Sequence, residues 1–185
     1  MNNLFGLTRE DLEEYFLSIH EKKFKATQVY EWLYQKRVYD IDSFSNLKKE
    51  VREQLKKDFS TSMITIETKE EDSLTKKYLF RLADHEFIEA VVMMHDYGTS
   101  VCVSSEVGCN MGCRFCESGR QKKIRNLEAY EMVLQILVIE ADLGVRISSV
   151  VIMGIGEPFD NYDNIIRFIK IINDAKGLQI GARHI

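Results

Sequence analysis

The sequence predicts an α/β protein with an N-terminal helical unit, a linking β-hairpin and the first part of a parallel βα domain. Three observations indicate this architecture. Apolar residues recur at helical spacing up to about residue 59, and β-branched and aromatic residues then dominate residues 64–94. From residue 99 onward, strand and helix patterns alternate, which is typical of a parallel sheet with right-handed crossovers.

The N-terminal unit is predicted to contain three helices. Thr8 is a candidate N-cap because Asp11 follows three residues later, where an acidic side chain can complete a capping box. A second helix is predicted over residues 25–37 and a third over residues 48–59. Basic residues flank the second helix: Lys22, Lys23, Lys25, Lys36 and Arg37.

Strands and two βα units are predicted downstream. The first three strands cover residues 64–68, 77–82 and 87–94, with a turn at 83–86. A strand over 100–105 then leads into a loop with three cysteines, and a helix follows over 127–142, capped by Asn126 and ended by Gly144. A strand over 148–153, a helix over 162–175 with Ile165, Phe168, Ile169 and Ile172 inward, and a strand from Ile180 complete the pattern.

The predicted domains are residues 1–60, 61–97 and 98–185. The chain stops at Ile185 inside a predicted strand, whereas a parallel barrel needs several more βα units. An unfinished sheet would leave open edges, so we interpret the sequence as part of a longer protein.

Composition narrows the function classes. The chain has 185 residues, a net charge of −4 and 29% charged residues, which disfavours purely electrostatic binding to nucleic acid. We find neither a signal peptide nor a membrane-spanning apolar run, so we expect a cytoplasmic protein without membrane contact. Residues 110–130 carry five basic side chains against two acidic ones, either as a solvated loop or as a phosphate-contacting edge.

Three cysteines form the most informative motif. Cys109, Cys113 and Cys116 have the spacing C-x3-C-x2-C, and Phe115 precedes the last of them. Three thiolates can hold a [4Fe–4S] cluster whose fourth iron stays open, since an ordinary site takes four cysteines. Two other hypotheses are a structural zinc site with Cys102 as fourth ligand and disulfides, which an intracellular chain disfavours.

This motif, with its aromatic residue, resembles that of the radical S-adenosylmethionine (radical-SAM) superfamily. In that superfamily the open iron binds the amino and carboxylate groups of SAM. The loop after the second barrel strand, residues 153–161, reads MGIGEPFDN and resembles the superfamily's Gly-Gly-Glu-Pro segment, with Ile155 in place of the first glycine. The resemblance implies that Gly156 and Glu157 bind the methionyl ammonium and that Phe115 lies at the cofactor.

Longer segments narrow the resemblance to the RlmN/Cfr type of RNA adenine methyltransferase, and favour the RlmN branch over the C8-methylating Cfr branch. They are residues 24–34 (FKATQVYEWLY), 101–109 (VCVSSEVGC), 125–127 (RNL), 153–158 (MGIGEP) and 161–163 (NYD). The resemblance implies a [4Fe–4S] cluster, two SAM molecules and methylation of adenine C2 in 23S ribosomal RNA, and in some members tRNA. It also implies an RNA-binding helical domain, the first part of a partial (βα)6 barrel, and an electron donor such as flavodoxin or ferredoxin.

The resemblance assigns two further residues. Cys102, seven residues before the motif, matches the cysteine that resolves a methyl-cysteine intermediate by forming a disulfide. Glu89 matches the general base. The alternatives are a small buried strand residue for Cys102 and the polar face of a strand for Glu89.

The methyl-carrying cysteine of the family has no counterpart here, because the four cysteines are Cys102 and the three predicted ligands. We therefore expect this chain to hold a cluster and to bind SAM partially, without completing a catalytic cycle. Two alternative functions are a radical-SAM enzyme with another substrate and a non-catalytic metal-binding RNA module.

Overall fold

A computed structural model describes residues 2–185. Within these residues lie five α-helices: α1 Arg9–Ser18, α2 Phe24–Tyr30, α3 Lys49–Asp58, α4 Ala129–Leu143 and α5 Tyr162–Asn173. The strands are β1 Asn2–Asn3, β2 Phe59–Ser60, β3 Thr65–Glu71, β4 Thr75–Arg81, β5 Phe87–His95, β6 Gly98–Cys102, β7 Glu106–Val107, β8 Arg125–Asn126 and β9 Ile147–Val151. The predicted α/β class is confirmed.

The capping box predicted for the first helix is present. The Thr8 hydroxyl accepts the Asp11 backbone N–H at 3.2 Å, and the Asp11 carboxylate accepts the Thr8 N–H at 2.8 Å. These two bonds satisfy donors that a helix start otherwise leaves unpaired. The second predicted helix is also present, with its last turn widened to a π-helix at Glu31–Gln35.

The helical unit docks on α4 and α5 through apolar packing and ion pairs. Leu4 and Phe5 are fully buried in a core that includes residues of both helices. Around this contact, Arg9 donates to Asp174 at 3.0 Å, and Lys176 lies 2.8 Å from Glu31. Arg37 pairs with Glu140 and Arg167 pairs with Asp11.

Five strands form one sheet in the order β3-β4-β5-β6-β9, antiparallel except for the parallel pair β6–β9. Residues 61–97 therefore supply three strands of the same sheet that continues into the βα units, rather than a separate hairpin. The division of the chain at residues 60 and 97 stays a prediction.

One face of this sheet is closed by α4. Ten of the 15 residues of α4 are buried, and the Tyr78 hydroxyl donates to Asp142 near the end of this helix at 2.7 Å. Further along α4, the buried Gln135 amide accepts the Ser104 N–H at 2.9 Å and donates to the Ser104 carbonyl at 3.0 Å. The closed face carries Tyr78, Phe80, Ile88, Ala90, Val92, Val101 and Val150.

Two details of α4 and α5 differ from the prediction. The N-cap of α4 is Glu128, whose N–H donates to Glu131 at 2.8 Å, whereas Asn126 belongs to β8. Gly144 ends α4 at φ +65°, as predicted. In α5, Ile171 is buried with Ile165, Phe168 and Ile172, while Ile169 is only partly covered.

The strand predicted from Ile180 is absent from the described residues. The Ile180 N–H donates to the Ile172 carbonyl at 2.9 Å, and its own carbonyl accepts the Asn173 side chain at 2.8 Å. These groups are therefore used by the end of α5 and cannot pair with β9. A short 3₁₀ turn follows at Ala182–His184.

Among residues 2–185, none of the helices combines the length and the apolar character that crossing a membrane requires.

We expect Thr8→Ala to lower the free energy of unfolding by about 1 kcal/mol, because it removes the cap acceptor at the start of α1. Thr8→Ser keeps the hydroxyl and should change the free energy of unfolding by only about 0.3 kcal/mol. Urea unfolding followed by circular dichroism measures both. Equal losses in the two variants would contradict a role for the hydroxyl.

Candidate metal and cofactor site

The three cysteines of the motif lie in one loop, closed at its base by a two-stranded ladder. Strands β7 and β8 pair antiparallel, Glu106 with Asn126 and Val107 with Arg125. The Cys109 N–H extends the ladder by donating to the Gln121 carbonyl at 2.9 Å. We call residues 106–126 the cysteine hairpin.

All four cysteines are free thiols, so the disulfide hypothesis finds no support in this structure. Cys113 is exposed, and Cys109 and Cys116 are partly buried. The donor set fits a thiolate-ligated cluster, because three uncommitted thiols share one loop. Within residues 2–185, no three Cys, His, Asp or Glu side chains are arranged to hold a metal ion in this structure. Phe115 is 94% exposed beside them.

The segment after β9, residues 154–157, which we call the glycine loop, is joined by backbone hydrogen bonds to the chain just before the cysteine hairpin. The Gly154 N–H donates to the Val103 carbonyl at 3.0 Å. The carbonyl of the buried Ile155 accepts the N–H groups of Ser105 and Glu106 at 2.9 and 3.1 Å. The two motifs therefore meet at the carboxyl ends of β6 and β9.

Gly156 and Glu157 form the tip of the glycine loop. Gly156 has φ +113°, and a Cβ there would lie 2.6 Å from Glu106 Cγ and 2.7 Å from Ser105 Oγ. A larger residue would therefore be strained and would clash. The Glu157 carboxylate accepts the Phe159 N–H at 3.1 Å and is partly exposed, so it remains accessible to a cation.

Two buried polar residues that sequence reasoning missed hold these loops together. Asn161 donates to the Ser105 and Leu127 carbonyls, each at 2.8 Å. Glu106 is fully buried and accepts the Glu157 N–H at 3.2 Å. The available signal was an acidic residue directly before the Val107-Gly108-Cys109 run, and an asparagine directly before α5.

Glu89 and Cys102 lie on the sheet face opposite α4, which we call the open face. Val91 of β5 pairs directly with Cys102, and Glu89 is two residues from Val91, so all three point to the same side. Lys77 Nζ lies 2.7 Å from Glu89 Oε1, and this hydrogen bond raises the pKa of the lysine. The Cys102 thiol is partly buried, and burial raises its pKa, with a partial offset from a backbone hydrogen bond of Met153.

Gly156→Ala should lower the free energy of unfolding by about 3 kcal/mol, because it adds both backbone strain and a clash with Glu106. Gly144→Ala is the matched control: that glycine also has positive φ, but no atom lies within 4 Å of its Cβ position. We expect about 1 kcal/mol there from the backbone alone. Chemical unfolding measures both, and similar losses would show that the contact with Glu106 is unimportant.

Cys102 should react with iodoacetamide more slowly than Cys113 at pH 8, because burial disfavours its thiolate. Since its pKa is raised, its alkylation rate should keep increasing at alkaline pH beyond its ordinary titration range. Peptide mass mapping after timed labelling follows each cysteine separately. A Cys102 rate at pH 8 equal to that of Cys113 would contradict this environment.

Three comparisons relate the chain to known proteins. The family model described as "Ribosomal RNA large subunit methyltransferase N-terminal domain" matches residues 2–60. A "Probable dual-specificity RNA methyltransferase RlmN" from Enterococcus faecalis is 51% identical, over 99% of this chain and 53% of that protein. The protein of the same name from Geobacillus kaustophilus is 49% identical, over 99% and 51%.

A solved structure, "Crystal Structure of a radical SAM methyltransferase from Sphaerobacter thermophilus", superposes on 100% of this chain and 55% of that chain, with a TM-score of 0.88 and 34% identity. The chain spans about half the length of the curated relatives that it matches. The helical unit, the sheet and both motif loops thus share their sequence and arrangement with one group of proteins, and over nearly its whole length the chain is similar to members of the RlmN family.

Proposed function

We propose that the chain provides the cluster-binding and cofactor-binding part of a radical-SAM enzyme that methylates C2 of an adenine in RNA. The observation that carries this proposal is the junction of the two motifs: the glycine loop is hydrogen-bonded to the segment that begins the cysteine hairpin. Both stand at the strand ends next to the open face, where Glu89 and Cys102 lie. Ligands of parallel α/β domains bind beyond the carboxyl ends of the strands.

The cofactors are assigned to residues at this junction. Cys109, Cys113 and Cys116 would hold a [4Fe–4S] cluster and leave one iron for SAM. When bound and reduced by a donor such as flavodoxin or ferredoxin, the cluster supplies the electron for reductive cleavage of SAM. The partly exposed Glu157 carboxylate and the adjoining Gly156 backbone would bind the SAM ammonium, and the exposed Phe115 ring is available to the rest of the cofactor.

Glu89 is proposed as the base that accepts the proton lost from the methylated adenine. Its contact with Lys77 supports this role, because the lysine Nζ lies 2.7 Å from the carboxylate and keeps it on the sheet face that also carries Cys102. Cys102 is proposed as the resolving thiol. It is free and faces the same side of the sheet as Glu89, so both groups can serve one substrate.

RNA is the proposed substrate, with 23S rRNA and tRNA as the two classes, which places the reaction in the cytoplasm. Some basic residues near the cysteine motif are paired with acidic side chains inside the protein, and others are exposed. Among the paired ones, Lys123 pairs with Glu106, and Arg125 pairs with Glu131 and Asp84. Arg120 pairs with Glu117 at the surface. The remaining exposed ones are available to phosphates: Lys22, Lys23, Arg114 and Lys122. The helical unit would recognise folded RNA by shape, and the target base would have to leave its stack.

The cluster is tested by metal and acid-labile sulfide analysis of the chain reconstituted with iron and sulfide under anaerobic conditions. We expect about four irons and four sulfides per chain, and a loss of most of both in Cys116→Ala. Cys102→Ala is the matched control, because it removes a thiol outside the motif and should leave the iron content unchanged. Zinc without sulfide, lost in both variants, would instead support a four-cysteine zinc module.

A further inference from the structure

Glu106 is a fully buried carboxylate at the junction of the two motif loops. Charged side chains are almost never fully buried without partners, because burial removes their hydration. Its backbone N–H donates to the Ile155 carbonyl at 3.1 Å, which places it against the glycine loop. Its side chain therefore requires compensation from nearby groups.

Both carboxylate oxygens of Glu106 have a partner, each from a different loop. Oε2 accepts the Glu157 N–H at 3.2 Å, and Oε1 is in an ion pair with Lys123 Nζ, although the approach lacks hydrogen-bond geometry. Lys123 belongs to the cysteine hairpin, and its side chain is only 17% exposed. Its ammonium also lies 4.0 Å from Asp160, just beyond the glycine loop.

The glycine loop is shaped to receive this side chain. The Glu106 methylene groups lie where a Cβ of residue 156 would be, at 2.6 and 2.7 Å. Only glycine therefore fits at position 156, and the Glu106 methylene groups pack directly against its backbone. The hydrogen bond and this packing act on Glu157 and Gly156, whereas the ion pair joins the same Glu106 side chain to Lys123 of the cysteine hairpin.

We propose that Glu106 and Lys123 are positioning residues that hold the Gly156–Glu157 backbone at a set distance from the cysteine hairpin and thereby set the affinity for SAM. This inference rests on the proposed function, which assigns the SAM ammonium to Gly156 and Glu157. Buried ion pairs contribute little net stability compared with apolar replacements. Their value here is geometric: one carboxylate joins the two loops that must contact the same cofactor.

The inference is tested by SAM titration calorimetry on the anaerobically reconstituted chain, with iron content and melting temperature recorded for each variant. Glu106→Gln has nearly the same shape and keeps an acceptor for the Glu157 N–H, but it removes the charge that faces Lys123. Lys123→Met removes the other charge, and Lys123→Arg retains it. Arg120→Met is the matched control, because Arg120 is an exposed basic residue of the same hairpin, paired only at the surface with Glu117.

We expect Lys123→Met to weaken SAM binding about tenfold at unchanged iron content, as loss of supporting partners around a site does. Glu106→Gln should weaken it less, and Lys123→Arg and Arg120→Met should bind like the unmodified chain. Combining Glu106→Gln with Lys123→Met should cost less than the sum of the two single losses, because the double variant leaves no buried charge unpaired.

A merely structural role predicts a different pattern. If the variants keep iron and bind SAM within about twofold of the unmodified chain, while only their melting temperatures fall, the inference is overturned and the proposed function stands. If the unmodified chain itself takes up no iron or binds no SAM, both fail together. Should Lys123→Met not fold, the near-isosteric Glu106→Gln decides, with faster hydrogen exchange of the Glu157 amide as the expected accompanying change.

Discussion

Strand β6 pairs in parallel with β9, from Thr99 opposite Ile147 to Cys102 opposite Val151, and the arrangement of the site follows from this pairing. Parallel strands present their carboxyl ends at the same edge, so the segments that leave them emerge side by side. Beyond the last ladder pair, backbone bonds from Val103, Ser105 and Glu106 continue into the glycine loop. A cluster loop and a cofactor loop about fifty residues apart in sequence are thereby adjacent in space.

The two faces of the sheet differ in burial and in the side chains that they carry. The closed face packs large apolar side chains against the layer that contains α4, where burial of apolar surface stabilises the fold. The open face carries Lys77, Glu89 and Cys102, which are partly accessible. Gln135 joins α4 to the segment that follows β6, because its amide bonds to both backbone groups of Ser104. This buried amide of α4 thus supports the start of the functional loops.

Internal ion pairs use much of the positive charge that surrounds the site. Arg125 is held by both Glu131 oxygens at 2.8 Å and by Asp84 at 2.7 Å, so it ties the base of the cysteine hairpin to α4 and to the turn before β5. In the helical unit, Lys36 lies 3.5 Å above the Trp32 ring, and Lys25 is buried near Glu21. The local excess of basic residues is therefore partly architectural, and only its exposed members are free to meet phosphates.

The sequence by itself determined the features that depend on neighbouring residues: the capping box of Thr8 and Asp11, the glycine end of α4, the strand periodicity and the spacing of the three cysteines. Such features are readable because the groups that interact are three to seven residues apart. The tertiary structure alone decided that residues 61–97 join the main sheet, that Ile180 bonds to α5 instead of forming a strand, and that Glu106 joins the two loops. Each of these features depends on a partner distant in sequence or on competition for a backbone group. Neither of these two causes produces a recognisable pattern in the local sequence.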